Sequence, residues 1–532
     1  MAISLGYQRH RLCLGATERA AQSTRSLLLL PLCAPWIFPT ERPVHAVTLG
    51  VSLLHAPWVI ELQAIMSDNP NPPKLSFDRG TLLLERADRE LAGRLPGMLW
   101  DPRTRNHRAP GWRYRELLAV FAEEQVLVDD QVKGHLQQAQ GAWHRAELRS
   151  YQQMALSAWE LGDHRGIVVL PTGSGKTRLA RAAAQSVAPA AVLCLVPTRV
   201  LLHQWLKELA GCYAGELGCW GDGRHTTAPV TVATFESALR YAPRIGARFE
   251  LLVIDEVHHF GDRLKDEALE MCVAPMRLGL TATLPVDEVQ LARLFELVGP
   301  VQYELSIADL AGTYLAEYDT VVLAAPLTAQ ERAAYRAEHA AFAHVYRAFR
   351  QVCPAAPWGD FVKAASRSDE GRRALAAWRR SRQIVALPAA KRALVAQLLT
   401  RHQEGKVLIF TPDNPSAYEI ARSELVMPLT CDIERRERDE VLERFRRNEL
   451  RVLVSSRVLN EGLDVPDTDV AIVVGGALGE REHVQRVGRL LRPSPGKRAL
   501  VYELVATGTS EAQASLRRRR ALAARIVTAP VP

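Results

Sequence analysis

Five short runs, GIVVL (166–170), AVLCLVP (191–197), VTVAT (230–234), LLVIDE (251–256) and RLGLTAT (277–283), are apolar almost throughout and are separated by stretches of helical spacing. A half-exposed strand alternates polar and apolar residues. Strands that stay apolar are buried on both faces, and when helices separate them they run parallel. The same grammar returns in KVLIF (406–410), RVLVSS (451–456), VAIVVGG (470–476) and ALVYELV (499–505), so two α/β lobes are expected. Between them, Leu327 to Leu387 is rich in Ala and Arg, with helical spacing and no strand signal, which predicts a helical insertion. Ahead of the first lobe, LSFDRGTLLLE (75–85) predicts a hairpin turning at Asp78, Arg79 and Gly80. An Arg- and Pro-rich loop then runs from Trp100 to Trp112 into the helical stretch YRELLAVFAEE (114–124).

Composition bounds the remaining choices. At 532 residues, 48% hydrophobic and 24% charged, the chain is ordinary globular protein with length for roughly three to five domains. Its eight cysteines (13, 33, 194, 212, 219, 272, 353 and 431) show no metal-ligand spacing, which predicts reduced thiols in a cytoplasmic protein and no zinc or iron–sulfur site. The apolar run Leu27–Phe38 is interrupted by Pro31 and Pro35 and is too short to span a bilayer. Arg9, Arg11, Arg19 and Arg25 ahead of it would also suit a signal peptide. Residues 1–65 hold no Asp and no Lys, and a polar start comes at Met66, so 1–65 is expected to be a disordered extension or a mis-assigned start.

The first apolar run leads into LPTGSGKT (170–177). The strict phosphate-loop pattern wants Gly where Leu170 stands, but the residues that carry the chemistry are present. Pro171, Thr172, Gly173, Ser174 and Gly175 can wrap backbone N–H groups around phosphates at a helix N-terminus, Lys176 can reach the β and γ phosphates, and Thr177 can ligate magnesium. Some 80 residues on, LLVIDEVHH ends a buried strand in Asp255, placed to hold magnesium, and Glu256, placed to orient and deprotonate water. Together these predict a nucleoside triphosphatase. In the second lobe, QRVGRLLRP offers Gln485, Arg486, Arg489 and Arg492 at helical spacing; Arg489 and Arg492 share a face and suit arginine fingers that act when the lobes close.

In order, LRSYQ (148–152), LPTGSGKT, VPTRVLLHQW (196–205), VATFESA (232–238), IDEVHH (254–259), LGLTATLP (278–285), IFTPDN (409–414), VSSRVLNEGLDVPDTDVAIVV (454–474) and QRVGRLLRP (485–493) resemble the full motif set of the superfamily-two helicases. DEVH, a DEAH-box form, followed by LTAT sets the chain apart from the DEAD-type RNA helicases. It is most similar to the XPB-type DNA helicases, in their short archaeal and bacterial form, from about Leu75 to Arg520. The resemblance implies two RecA-like parallel-sheet lobes with a small N-terminal α+β module and a helical thumb-like insertion. The expected domains are a damage-recognition-like module (66–138), an ATP-binding lobe (139–316), the start of the second lobe with the thumb (317–395), and the rest of that lobe with a basic tail (396–532).

It further implies that Gln152 reads adenine and that Asp464 approaches the nucleotide from the second lobe. His258, Thr281 and Thr283 would couple nucleotide state to the strand-binding surface, while Thr198, Arg199, Thr234, Thr411 and Ser455 would contact the sugar-phosphate backbone. One departure stands out: the family's Arg-Glu-Asp element for strand separation has no counterpart, since LPVDEVQLARL carries Asp287 and Glu288 without a preceding Arg.

The net charge of +8 is unevenly spread. Residues 101–115 carry +4, 366–382 carry +4 and 512–532 carry +5, which leaves the remaining residues slightly acidic. These patches are candidate DNA contacts or solvated surface; Trp112, Tyr114 and Trp378 among them could stack on bases or belong to a core. The reading is an ATP- and magnesium-dependent DNA motor on duplex or forked DNA, monomeric, without membrane contact, and acting in repair. The alternative is an ATP-switched DNA-binding module that recruits a partner such as a nuclease.

Overall fold

The computed structural model describes residues 71–310, 314, 317–354, 356, 358–456, 468–475, 498–522 and 526–528, all within the second of the chain's two units, Ala56–Pro532. Residues 1–65 and the start expected at Met66 lie outside the described residues, as do Asp464, Gln485, Arg489 and Arg492.

The N-terminal module grows from β1 (Lys74–Asp78) and β2 (Thr81–Glu85), an antiparallel pair. A two-residue turn of this kind needs left-handed backbone at both positions, and Arg79 (φ 50°) and Gly80 (φ 90°) supply it. After α1 (Arg89–Arg94) come β3 (Leu99–Asp101), β4 (Asn106–Pro110), α2 (Tyr114–Glu123) and β5 (Asp129–Asp130), giving the sheet order β3-β4-β2-β1-β5. The stretch expected as a loop, Trp100 to Trp112, therefore contains a hairpin. Its cause is electrostatic: Asp101 accepts from the backbone N–H and side chain of Arg103 (3.0 and 2.9 Å), while Arg108 ties Asp101 (3.0 Å) to Asp78 (2.7 Å).

The module shares its core with the first lobe. Leu75, Leu82, Leu84, Leu117 and Phe121 cluster with Ala247 and Val273, and Trp112 is embedded in the lobe's own core. Gly111 marks how close the approach is, because a Cβ there would lie 2.9 Å from the carbonyl oxygen of Met271.

The first lobe comprises α3 (Ser150–Leu161), β6 (Arg165–Val169), α4 (Lys176–Ser186), β7 (Val192–Val196), α5 (Arg199–Ala210), β8 (Leu217–Gly221), β9 (Arg224–Thr226) and β10 (Val230–Thr234). It continues through α6 (Phe235–Ile245), β11 (Leu251–Asp255), α7 (Glu267–Glu270), β12 (Met276–Thr281), α8 (Glu288–Leu297), β13 (Val301–Glu304) and α9 (Ile307–Leu310). The strand order is β13-β6-β12-β11-β7-β10-β8-β9, parallel except for β9. The apolar runs of the sequence form its centre: β7, β10, β11 and β12 are buried at every position.

The second lobe opens with β14 (Glu317–Ala325) and then leaves the sheet as α10 (Ala329–Val352), α11 (Trp358–Ala365) and α12 (Asp369–Ala386). It returns through α13 (Ala389–Arg401), β15 (Val407–Phe410), α14 (Asn414–Glu424), β16 (Met427–Leu429), α15 (Arg435–Arg446) and β17 (Val452–Ser455), and ends with β18 (Val470–Val473), β19 (Arg498–Ala506), α16 (Ser510–Leu522) and β20 (Ile526–Thr528). All neighbours in the order β16-β17-β15-β18-β19-β14-β20 are parallel. Among the described residues no helix is long and apolar enough to cross a membrane.

One polar residue staples the first lobe from within. Arg277 on β12 is fully buried, and its guanidinium donates to the carbonyls of Ala274 (3.1 Å), Leu297 (2.8 Å), Leu269 (3.1 Å) and Cys272 (2.7 Å). Burial pulls its pKa down to about 9. Arg277→Met keeps much of the volume but strips donors from four buried carbonyls. It should destabilise the first lobe by about 3–5 kcal/mol, measured by denaturant unfolding; an unchanged midpoint would show the carbonyls find other donors.

Candidate active site

β6 ends at Val169, and Leu170 to Gly175 turn the chain into the N-terminus of α4. Gly173 (φ 83°) and Gly175 (φ 80°) hold left-handed backbone that glycine adopts without strain. Leu170, the departure from the strict pattern, is fully buried in the core, and its N–H donates to Thr281 O (2.9 Å). Ser174 is also buried, its hydroxyl donating to Pro171 O (2.6 Å). The loop is braced from α3. Tyr151 OH and Gln152 Nε2 both donate to Ser174 O (2.6 and 2.7 Å), and Gln152 Oε1 accepts from Arg149 N (3.0 Å). Both ends of the Gln152 amide are thus engaged with backbone, so reading an adenine edge would require exchanging those bonds. A Cβ at Gly175 would sit 2.6 Å from Gln152 Nε2, and the left-handed backbone there (φ 80°) favours glycine.

Two observations fit this cradle to a phosphate ligand. Thr172 Oγ1 is buried without a hydrogen-bond partner, and Lys176 Nζ rests on its own loop, donating to Leu170 O (3.3 Å). Thr177 lies in the first turn of α4.

Asp255 closes β11 beside the loop. Burial pushes its carboxyl above the ordinary range, opposed by the nearby Lys176 ammonium, by Trp205 Nε1–H donating to Oδ2 (3.0 Å) and by Glu256 N–H donating to Oδ1 (3.1 Å). Glu256 comes next in left-handed backbone (φ 52°, ψ 51°), a costly conformation for a side-chain-bearing residue and one that recurs at functional turns. Its Oε2 lies 3.4 Å from His258 Nδ1.

From there a polar relay crosses to the next strand. Thr281 Oγ1 donates to Thr283 O (2.8 Å), so its single proton is committed and it must accept from His258 Nδ1–H at 2.9 Å. Thr283 N–H donates back to the same hydroxyl (3.2 Å). Gln290 Nε2 pins the turn by donating to His258 O (3.1 Å) and Phe260 O (2.9 Å). His258, Thr281 and Thr283 therefore form one hydrogen-bonded unit spanning the ends of β11 and β12, with the Glu256 carboxylate beside it. Trp205, Tyr151 and Gln290 carry this geometry, although their sequence context alone assigns none of them a role. Tyr151 and Trp205 sit inside motifs already singled out and Gln290 just beyond one, where side-chain identity is visible and packing is not.

The expected strand-binding residues fall into two groups. Thr198 and Thr234 cap α5 and α6, accepting from Leu201 N and Ser237 N (3.3 Å each), and Arg199 is an exposed side chain 3.7 Å from Asp222. In the second lobe, Thr411 and Ser455 are wholly buried, their hydroxyls donating to Asp413 O (3.0 Å) and Leu429 O (2.9 Å). Those two hydroxyls serve the ends of β15 and β17 from inside.

The front arginine patch is largely paired with carboxylates. Arg103 and Arg108 pair with Asp101, Arg113 with Glu116 and Glu296, and Arg115 with Asp163; of the five, Arg105 alone has no carboxylate partner among the described residues. Trp112 and Tyr114 are buried, Tyr114 OH donating to Asp130 (2.6 Å), so neither faces a base.

This architecture defines a two-lobed phosphate-loop motor of the superfamily-two type. Residues 75–132 match the Xeroderma pigmentosum group B helicase damage recognition domain, 145–286 the type III restriction enzyme res subunit, and 390–494 the helicase conserved C-terminal domain. The chain is 35% identical over 427 residues to the DNA 3'-5' translocase XPB2 of Sulfurisphaera tokodaii, covering 80% of this chain and 96% of that one. It is 28% identical to the DNA 3'-5' helicase XPB of Mycobacterium tuberculosis, covering 84% and 77%. A structure of S. cerevisiae Dbp5 bound to RNA and ADP BeF3 shares the fold, with a TM-score of 0.50 at 15% identity over 71% of this chain and 89% of that one. The chain belongs to the XPB family of helicases and translocases.

The Trp205 bond gives a direct test. Trp205→Phe keeps an aromatic ring but removes the indole donor on Asp255 Oδ2. It should raise the magnesium concentration for half-maximal ATPase roughly tenfold, measured by metal titration; an unchanged titration would assign Trp205 to packing alone.

Proposed function

We propose that this chain is an ATP- and magnesium-dependent DNA translocase and helicase of the XPB type, moving 3'-5' on duplex or forked DNA as a monomer in DNA repair. The observation that carries this is the convergence, at the ends of β6 and β11, of a glycine cradle with an unpartnered buried hydroxyl and a paired carboxylate strand end, in a chain of this family.

Each residue's part derives from its placement. The loop from Pro171 to Gly175 would receive the phosphates of ATP on backbone N–H groups, and Lys176 would leave Leu170 O to neutralise them. Thr177 and Asp255 would hold magnesium, which supplies charge neutralisation on the phosphate oxygens. Glu256 would orient and deprotonate water, with its carboxylate held toward His258 so that a change at the phosphate is passed to Thr281, Thr283 and the strand-facing caps at Thr198 and Thr234. Asp464, Gln485, Arg489 and Arg492 would complete the site from the second lobe.

Lys176→Ala and Glu256→Gln should each lower DNA-stimulated ATPase by roughly two to three orders of magnitude. The assay is turnover with duplex, forked and single-stranded DNA and with RNA, run beside strand displacement; normal turnover in either variant would refute the site, and equal stimulation by RNA would refute the DNA assignment. Stimulation by DNA without displacement would instead favour the ATP-switched recruitment of a nuclease, which the missing Arg-Glu-Asp sequence also favours.

A further inference from the structure

The helical insertion has a core of its own. Phe342, Phe361, Ala365, Leu375 and Ala377 are buried together, with Tyr346, Phe349 and Trp378 packed against them. Its root is fixed to the second lobe: Ser510 N–H donates to Tyr335 OH (3.0 Å), and the buried Lys391 ammonium donates to Glu511 (2.7 Å) and to Val385 O at the end of α12 (2.9 Å). From that root α10 runs 24 residues, about 36 Å at the usual helical rise, to the far end where α11 begins.

Trp358, the first residue of α11, folds back from that end against the middle of α10 and α12. Its ring contacts Trp378 (centroids 5.0 Å, 43° between planes), Phe361 (5.2 Å), Tyr346 (5.8 Å) and Phe342 (6.1 Å), yet 40% of the residue remains in solvent. A tryptophan serving only to seal this core would be covered by it. Arg382 lies over the Trp378 ring at 5.6 Å, and Arg350, one turn beyond Tyr346, donates to Ala356 O (3.0 Å), two residues before Trp358.

The charge of the insertion as a whole is strongly one-sided. Thr328 to Leu387 hold ten Arg and one Lys against five acids, so the insertion alone supplies +6 of the chain's +8. The acids are largely engaged: Glu331 accepts from Thr328 and Ala389 N–H, Glu338 takes Arg380 in a two-pronged pair, Asp360 pairs with Lys363 and Asp369 with Arg372. Arg347, Arg350, Arg367, Arg373 and Arg379 are exposed and have no carboxylate partner among the described residues.

An exposed tryptophan backed by a second one, with Arg382 over the second ring and Arg350 bound just ahead of the first, on an arginine-rich insertion, has the composition of a single-strand stacking site: arginines track phosphate and the ring accepts any base. A duplex offers no free base face along its length. We infer that the exposed edge of the insertion's aromatic core, where Trp358 lies tilted against Trp378, is a platform for an unpaired nucleobase of a DNA strand, as at a fork or a single-stranded tail. This rests on the DNA-motor reading above and adds the element that distinguishes unpaired from paired substrate in a chain without the Arg-Glu-Asp sequence.

The test is binding of the full chain to single-stranded, forked and blunt duplex DNA over a range of salt, comparing Trp358→Leu, Trp358→Phe and Arg379→Ala. Trp358→Leu should weaken single-stranded and forked DNA by roughly 5- to 100-fold with no change in the salt slope, leave blunt duplex and DNA-free ATPase unaltered, and be largely rescued by Phe. Arg379→Ala should instead reduce the salt slope by about one ion. Equal losses on all three DNAs, or no loss in the Leu variant, would overturn the platform. If the Leu variant does not fold, the wild-type chain decides. Ultraviolet crosslinking to a strand carrying 5-iododeoxyuridine should map to the peptides of Trp358 or Trp378, and adducts confined to other peptides would overturn it. A wild-type chain that neither binds DNA nor responds to it would remove the motor reading itself, whereas a DNA-stimulated chain indifferent to Trp358 removes only the platform.

Discussion

A negative charge at the end of a fully buried strand is the constraint on which the rest depends. Asp255 finishes β11 with neighbours on both sides of the sheet, where water cannot solvate a carboxylate. Three donors or charges hold it in place: the Trp205 indole from α5, the Glu256 amide at the left-handed turn, and the Lys176 ammonium from the phosphate loop. Each ties a different element to the same point. α5 must pack so that its apolar face delivers an N–H; the chain after Asp255 must turn sharply; and the loop after β6 must end where a lysine can face the carboxylate. The ligand-binding end of the first lobe is built around compensating one buried charge.

The same economy explains what was legible in the sequence. Strands buried on both faces announce themselves by unbroken apolar runs, and GIVVL, AVLCLVP, VTVAT, LLVIDE and RLGLTAT all became the central strands β6, β7, β10, β11 and β12. The three-helix insertion was equally visible, because Leu327 to Leu387 offers helical spacing and nothing else. Edge elements were not. β3 and β4 read as a loop because their sequence, LWD and NHRAP, is polar and proline-bearing, and the hairpin is held by Asp101, Arg103 and Arg108 rather than by an apolar face.

Charge was read least well, for a physical reason. A local count of arginines cannot see a carboxylate that arrives from elsewhere in the chain. Arg113 meets Glu296 across 183 residues and Arg115 meets Asp163 across 48, so a patch that counts as +4 in isolation is mostly neutralised where the module meets the first lobe. In the insertion, by contrast, the nearby acids pair with only a minority of the arginines, and the local count survives folding. Thr411 and Ser455 share a related ambiguity: a hydroxyl at a strand end looks the same in sequence whether it faces a ligand or a neighbouring carbonyl.

These attachments divide the molecule mechanically. The N-terminal module shares a core with the first lobe through Trp112, Ala247 and Val273, is ion-paired to it by Arg113 and Arg115, and has backbone at Gly111 too close to Met271 to slide. The insertion is fixed to the second lobe through Lys391, Glu511, Tyr335 and Ser510, and its far end is stabilised by its own aromatic core. Each accessory element must therefore travel with the lobe that carries it. Any closing of one lobe on the other is converted into relative movement of the module and the far end of the insertion. α10 is the long arm of that movement: rooted beside the buried Lys391–Glu511 pair, its 24 residues carry the insertion's aromatic core outward, so a rotation of the lobe is larger along the helix than at its root.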